Sequence, residues 1–237
     1  HKNLALFPFD NLANIATSSD GWGLEAGVLV DALAGDDTIT GISTGDVGID
    51  NEGEGTINTG KGDDTITGIS TRDLGISNDG KINTGEGDDT ITGISARDLG
   101  IDNEGEGTIN TGKGDDTITG ISTRELGISN DGKINTGKGD DLVNALEGGF
   151  GGIGNTYLGD NNDTLMGFGT GSFYGGSGSD KVLFGEGTYT IRGLIITSDG
   201  VTMSVNEFEN IGGAYGGLFA FKDGTLTVDS KGVGTFA

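Results

Sequence analysis

The sequence predicts an all-β protein, a parallel β-solenoid or β-roll, and three observations lead to this fold class. A nine-residue stretch recurs at 32–40, 59–67, 84–92, 111–119 and 136–144, and its copies read ALAGDDTIT, TGKGDDTIT, TGEGDDTIT, TGKGDDTIT and TGKGDDLVN. The apolar residues never follow helical spacing, and glycine and β-branched residues dominate the chain between the copies. One unit has too few aliphatic side chains to fold alone, whereas stacked copies bury them against one another.

The repeat alternates between two lengths. The second aspartates of the GDD triplets are Asp37, Asp64, Asp89, Asp116 and Asp141, so the successive steps are 27, 25, 27 and 25 residues. The two-residue difference falls in a glycine-rich segment, where a turn can bulge. A unit of this length suggests three short faces per turn rather than two, because each face needs only a strand of a few residues.

Each unit carries five aliphatic residues at fixed positions. In the second unit these residues are Ile66, Ile69, Leu74, Ile76 and Ile82. In a stack of turns each one lies on its equivalent in the next turn, about 4.8 Å away. We therefore expect all five to contribute to the core.

The two ends of the chain differ from the repeat. Phe7, Phe9 and Trp22 belong to an apolar opening that we expect to cap the first turn, because an open solenoid end exposes core and unpaired backbone. Alternating strands with Asp-Gly turns at 199–200 and 223–224 predict a C-terminal β cap. The predicted segments are an N-terminal cap (1–31), a wide solenoid (32–141), a shorter roll (142–184) and the C-terminal cap (185–237).

Composition narrows the possible partners. The net charge of the 237 residues is −24, which disfavours binding to nucleic acid and favours cations. The chain has no cysteine and His1 is its only histidine, so we expect neither a thiolate metal site nor an enzyme. No apolar run approaches the roughly 20 residues of a membrane span.

Stacking the GDD triplets places their carboxylates in two columns. Neighbouring like charges about 4.8 Å apart repel by about 1 kcal/mol in water and by about 3.5 kcal/mol at an effective dielectric constant of 20. Cations between the turns would remove this repulsion. Carboxylate and carbonyl oxygens without histidine or cysteine form a hard-cation ligand set, and flexible oxygen coordination favours Ca²⁺ over Mg²⁺. The first-aspartate column comprises Asp36, Asp63, Asp88, Asp115 and Asp140.

The stretches TGKGDDTIT and, more fully, GGSGSDKVL (175–183) resemble the calcium-binding nonapeptide G-G-x-G-x-D-x-U-x of the RTX family, and SVNEFENIGG resembles segments that follow such repeats. The resemblance implies a parallel β-roll in which the sixth-position aspartate and the carbonyls of the glycine turn bind several Ca²⁺ ions between turns. The implied sixth-position ligands are Asp37, Asp64, Asp89, Asp116, Asp141, Asp163 and Asp180. The implied turn glycines are Gly60, Gly62, Gly85, Gly87, Gly112, Gly114, Gly137, Gly139, Gly159, Gly176 and Gly178.

The chain also departs from the family pattern. The first copy has Leu33 where the second glycine belongs, which puts its site in doubt. The usual RTX turn holds two nonapeptides, whereas residues 32–141 have one calcium-type corner in each wider turn. We accordingly expect an RTX-like roll with an atypically wide first part.

These patterns predict an extracellular, calcium-binding structural repeat protein, such as a module of a surface layer, a filament or an adhesin. Calcium would couple secretion to folding, since the columns repel where calcium is scarce and bind it outside the cell. The expected partners are calcium and either further copies of the chain or a polysaccharide of the cell surface.

Two alternatives remain open at this stage. The Thr-x-Thr pairs, for example Thr65 with Thr67, would form two ranks on a flat face and resemble the ice-binding face of insect antifreeze solenoids. The chain could also be a non-catalytic module of a secreted enzyme that modifies polysaccharides, because RTX rolls often follow catalytic domains.

Overall fold

The protein is a parallel β-solenoid of about eight turns, which confirms the predicted fold class. The computed structural model describes residues 1–24 and 27–237, apart from the side chain of Leu24. Three sheets of ten, seven and twelve strands form the faces of the solenoid. Within each repeat the chain runs along face 1, face 2 and face 3 in that order, and the GDD triplet then forms the corner that leads to the next face 1.

The strands of the three faces are mostly three to six residues long. Face 1 comprises Ile15–Ser18, Thr38–Ser43, Thr65–Ser70, Thr90–Ser95, Thr117–Ser122, Leu142–Asn144, Thr164–Met166, Lys181–Phe184, Asn210–Gly213 and Gly216–Ala220. Face 2 comprises Lys2–Asn3, Trp22–Leu24, Ile49–Asn51, Ile76–Asn78, Ile101–Asn103, Ile128–Asn130 and Phe150–Gly151. Face 3 comprises Leu29–Asp31, Thr56–Lys61, Lys81–Glu86, Thr108–Lys113, Lys133–Lys138, Asn155–Asp160, Ser172–Ser177, Val201–Asn206, Ile195–Ser198, Gly187–Arg192, Gly224–Val228 and Gly234–Phe236.

The wide turns bury three of the expected five aliphatic residues, and the first one also buries Val47. In the second unit Ile66, Ile76 and Ile82 are fully buried and lie in register with their equivalents in the neighbouring turns. Ile69 lies on the outer surface of face 1, because it is three residues from Ile66 and successive side chains of a strand alternate between faces. The residue in between that faces inward is Gly68, where a Cβ atom would collide with the carbonyl oxygen of Gly75.

Two of the three corners of the wide turns are closed by neutral side chains. Between faces 2 and 3, buried asparagines form a ladder in which each amide nitrogen donates to the side-chain oxygen of the next turn, as from Asn78 to Asn103 at 2.7 Å. Between faces 1 and 2, the hydroxyl of Ser70 accepts the N–H of Asp73 at 2.9 Å and donates to the carbonyl of Asp46 at 2.7 Å. These bonds satisfy buried polar groups where the chain changes direction.

The two ends of the solenoid are built differently. At the N-terminal end, a 3-10 helix (Leu4–Leu6) begins a segment in which Leu4 is fully buried and Phe7 and Phe9 pack against the core. At the C-terminal end, faces 1 and 3 continue into antiparallel strands. Parallel stacking nevertheless extends past residue 184, because Val201–Asn206 and Asn210–Gly213 pair in parallel with the preceding turn.

Among the residues that the structure describes, no helix is both long and apolar enough to cross a membrane.

Candidate metal centre

The corner formed by the GDD triplet depends on glycine for its backbone path. Gly60 and Gly62 have φ values of 107° and 128°, in the left-handed region where a side chain is strained. The turns also approach each other closely at these positions. A Cβ atom at Gly85 or Gly87 would collide with the carbonyl oxygen of Gly60 or Gly62 in the preceding turn. The predicted turn glycines all have positive φ values, so the corner places stacked carbonyl oxygens along the solenoid axis.

The sixth-position aspartates form an inner column. All seven predicted members are at most 1% exposed, and each lies one turn from the next. The Oδ1 atom of each carboxylate accepts the backbone N–H of the equivalent residue in the preceding turn. For Asp116 this donor is the N–H of Asp89 at 2.8 Å, and Asp116 in turn donates to Oδ1 of Asp141 at 2.8 Å.

The fifth-position aspartates form an outer column, in which the hydrogen bonds between turns run in the opposite direction along the stack. Their side chains are exposed, and Oδ1 of each accepts the N–H of the following turn, as Asp88 does from Asp115 at 2.8 Å. The column is not acidic throughout. Asn162 and Ser179 occupy the same position in the last turns, and the side-chain oxygen of Asn162 accepts the N–H of Ser179 at 3.0 Å. An amide thus makes the same hydrogen bond as a carboxylate at this corner.

The second oxygen of each of the seven inner aspartates is buried and has no hydrogen-bond partner among residues 1–24 and 27–237. These atoms are Oδ2 of Asp37, Asp64, Asp89, Asp116, Asp141, Asp163 and Asp180. A buried carboxylate oxygen with no partner is unusual, since leaving such a group unpaired costs about 1–3 kcal/mol or more. The inner column therefore lacks a positive or hydrogen-donating group at a repeated position.

Burial dominates the electrostatics of the inner column. It raises the pKa of Asp89 and of Asp163 to about 7, and the pKa of Asp116 and of Asp141 to about 6. Neighbouring aspartates of both columns raise the pKa further. Hydrogen bonding by the adjacent threonine hydroxyls and by the backbone N–H groups lowers the pKa in opposition. The hydroxyl of Thr84 is shared, since it also donates to the carbonyl oxygen of Thr111 at 3.2 Å. Burial thus favours the protonated form of these carboxyls more than that of an exposed aspartate.

The donor set available to a cation is made of oxygen atoms only. It comprises the free Oδ2 atoms, the buried hydroxyls of the threonines at the end of face 3, and the carbonyl oxygens of the corner glycines. Across residues 1–24 and 27–237, no three carboxylate or imidazole side chains converge into a metal cluster. A cation would therefore need main-chain or hydroxyl oxygens beside the carboxylates, and Ca²⁺ accepts such mixed ligands. The residues of the inner column fit this ion, because their unpartnered oxygens repeat once per turn.

The structure places the predicted residues in two groups. It buries the inner aspartates, and it turns the outer carboxylates towards solvent, where Oδ1 of Asp63 lies beside the corner glycine Gly87 of the next turn. The exposed outer carboxylates are those of Asp63, Asp88, Asp115 and Asp140. Leu33 and Asn161 occupy glycine positions of the corner with φ values of 75° and 89°.

The sequence pattern did not identify two members of the inner column. Asn14 precedes Asp37 and donates its backbone N–H and its side-chain amide to Oδ1 of Asp37, both at 2.7 Å. Glu209 follows Asp180, and its Oε2 accepts the N–H of Asp180 at 2.7 Å. Neither lies in a glycine turn, and the only signal in the sequence is the aliphatic residue two positions later, Ala16 or Ile211.

Comparison of the chain with protein-family models, with curated proteins and with solved structures gave no match in any of the three. The likeness to the RTX nonapeptide thus rests on the motif residues alone and stays a prediction.

Proposed function

We propose that this chain is a calcium-binding structural module whose solenoid is stabilised when Ca²⁺ binds along the inner aspartate column. One observation carries the proposal: seven buried carboxylates, one per turn, each have an oxygen that finds no partner in the part of the chain that the structure describes. Buried charges are normally paired or coordinate metals, and the sites of this column have no basic side chain in contact with them among the described residues. A divalent cation supplies the missing charge.

A comparison of the two columns supports a cation rather than a purely structural role. The outer column uses its side-chain oxygen only as a hydrogen-bond acceptor, and there the amide of Asn162 and the hydroxyl-bearing Ser179 replace aspartate. The inner column keeps a carboxylate in the same turns, at Asp163 and Asp180, although burial makes the charge costly. A charge retained where an amide could make the same bond indicates a ligand that needs the charge.

Calcium binding at these positions would couple to folding. The column exists only when the turns are stacked, so the unfolded chain has no equivalent site and the binding free energy adds to the stability of the fold. This coupling suits a protein that crosses a calcium-poor compartment and folds outside the cell. We therefore assign it to a secreted surface layer, filament or adhesin.

Calcium titration of two matched variants tests the proposal. Asp116→Asn removes an inner carboxylate but keeps an oxygen for the N–H of Asp89, whereas Asp115→Asn makes the same change in the outer column. We expect equilibrium dialysis to show at least one bound Ca²⁺ fewer for Asp116→Asn and the wild-type number for Asp115→Asn. We also expect circular dichroism to show a gain of β structure or of thermal stability on adding calcium to the wild type. Identical β content and stability with and without calcium would refute the proposal.

Ice binding is a second candidate, and the register of face 1 favours it. Thr65, Thr67 and Ile69 point outward and pair directly with the same residue types in the neighbouring turns. Four such turns form a regular surface of β-branched side chains in register. Thermal hysteresis in the wild type that is lost in Thr67→Lys would support ice binding. A wild type that shows neither thermal hysteresis nor shaping of ice crystals would exclude it.

A further inference from the structure

The inner column continues beyond the last glycine turn. Asn210 and Ile211 pair in parallel with Lys181 and Val182, so Glu209 stands opposite Asp180 in the next turn. Its carboxylate accepts the N–H of Asp180 at 2.7 Å, as each inner aspartate accepts the N–H of its predecessor. Glu209 is thus the eighth carboxylate of the column, and it reaches this place after the antiparallel excursion over Gly187–Arg192 and Ile195–Ser198.

The two ends of the column differ in the residue that contacts the terminal aspartate. At the N-terminal end Asn14 supplies two donors to Asp37. At the C-terminal end Glu209 brings a further negative charge, although a glutamine there could accept the same N–H of Asp180. Placing like charges together beside a buried carboxylate costs free energy unless a cation lies between them. The use of an acid at this end therefore points to a cation beyond Asp180.

The space beside Asp180 also differs from that in earlier turns. By register, Gly175 stands where Leu158 and Thr136 have side chains in the preceding turns. A Cβ atom at Gly175 would lie 2.7 Å from Oδ2 of Asp180 and would collide with the carbonyl oxygen of Glu207. The unpartnered Oδ2 of Asp180, which is fully buried, and this carbonyl oxygen thus approach the same point.

We propose that Asp180, Glu209 and the main-chain carbonyl of Glu207 form a terminal site for a hard divalent cation, with Ca²⁺ as the ion, at the junction of the column and the C-terminal cap. This inference rests on the proposed calcium-binding function and adds a site that the glycine motif does not encode. All three donors are oxygen atoms, and two carboxylates balance the charge of one divalent ion. Water completes the coordination on the exposed side of Glu209.

Counting bound calcium in the whole chain tests the terminal site. Glu209→Gln keeps an acceptor for the N–H of Asp180 and removes the charge, Glu209→Asp keeps the charge, and Glu147→Gln removes an exposed acid elsewhere. Equilibrium dialysis against Ca²⁺ is expected to show one ion fewer for Glu209→Gln and the wild-type number for Glu209→Asp and Glu147→Gln. Circular dichroism in calcium checks that each variant is folded.

The outcomes separate this proposal from the proposed function. The wild-type number of ions for Glu209→Gln, together with a loss for Asp116→Asn, would overturn the terminal site and leave the column intact. The wild-type number for both variants would overturn the column and the terminal site together. An equal loss for Glu209→Gln and Glu209→Asp would also overturn the terminal site, because the shape of the loop rather than its charge would then control binding.

Discussion

Acidification is expected to stabilise the calcium-free protein, the reverse of the effect of carboxylates whose pKa is lowered in the folded state. Burial raises the pKa of Asp116 from 3.8 to about 6, so the folded state holds a proton that the unfolded chain releases. The stabilisation is complete below the pKa of the unfolded chain and is lost as the pH rises through the pKa of the folded state. The pKa of Asp89, about 7, sets the upper limit of this pH range. Stability should therefore fall between about pH 4 and pH 7.

The size of the effect follows from the shift. A difference of about two pKa units, at about 1.4 kcal/mol per unit, gives about 3 kcal/mol for Asp116 alone. Calcium is expected to reverse the sign, because the ion binds ionised carboxylates and protons compete with it. Asp116→Asn has no proton to lose, so we expect it to stabilise the calcium-free protein near pH 8 by up to about 3 kcal/mol and to weaken the response to calcium.

Urea unfolding followed by circular dichroism can measure both effects. The protein is treated with a chelating resin and compared at several pH values between about 5 and 8, with and without millimolar calcium. Asp115→Asn is the matched control, and its curve should follow the wild type. The reasoning would be refuted if the calcium-free wild type lost stability steadily on acidification across this range, since the inner carboxyls would then be ionised without cost.

Three further predictions concern the corners. Gly87→Ala is expected to destabilise the fold by about 3 kcal/mol or more in urea unfolding, because φ of Gly87 is 136° and a Cβ atom there would meet the carbonyl oxygen of Gly62. Gly105→Ala is the control and should be nearly neutral, because a Cβ atom at Gly105 meets open space. Leu33→Gly should raise stability by about 1 kcal/mol by relieving a φ of 75°, and Leu33→Ala should give no such gain. Asn103→Ala should lower stability by about 3 kcal/mol or more, because it leaves its ladder partners, including Oδ1 of Asn130, unpaired; an unchanged melting temperature would contradict this.

The fold could be predicted from the sequence because the repeat is nearly perfect. A fixed spacing of aspartates, glycines and isoleucines requires equivalent positions in successive turns to stack, and the length of the unit suggested three faces. The expected burial of Ile69 was wrong for a local reason. It belongs to the same six-residue strand as Ile66 but has the opposite phase, and the inner surface at that level is filled by the backbone around Gly75.

The candidate site was predicted in part. The glycine turn marks the inner aspartates, but the motif gives no indication that Asp115 and Asp116 point to opposite sides and bond to opposite neighbours. That division depends on the direction of each N–H along the axis, which only the three-dimensional path defines. Glu209 could not be found by spacing either, because antiparallel strands separate it from Asp180 and only register places the two side by side.

The three corners of a wide turn explain why calcium should act at only one of them. The asparagine ladder joins donor to acceptor from Asn51 to Asn130 and leaves only the first oxygen, Oδ1 of Asn51, without a partner among the described residues, and the hydroxyl of Ser70 both accepts and donates. These two corners therefore have no unpartnered oxygen that repeats in every turn. At the GDD corner backbone N–H groups satisfy Oδ1 of each aspartate, but Oδ2 of each inner aspartate has no partner among the residues that the structure describes. A proton or a cation would satisfy this second oxygen. Protonation serves below about pH 6 to 7, and under the proposed function Ca²⁺ takes its place at higher pH.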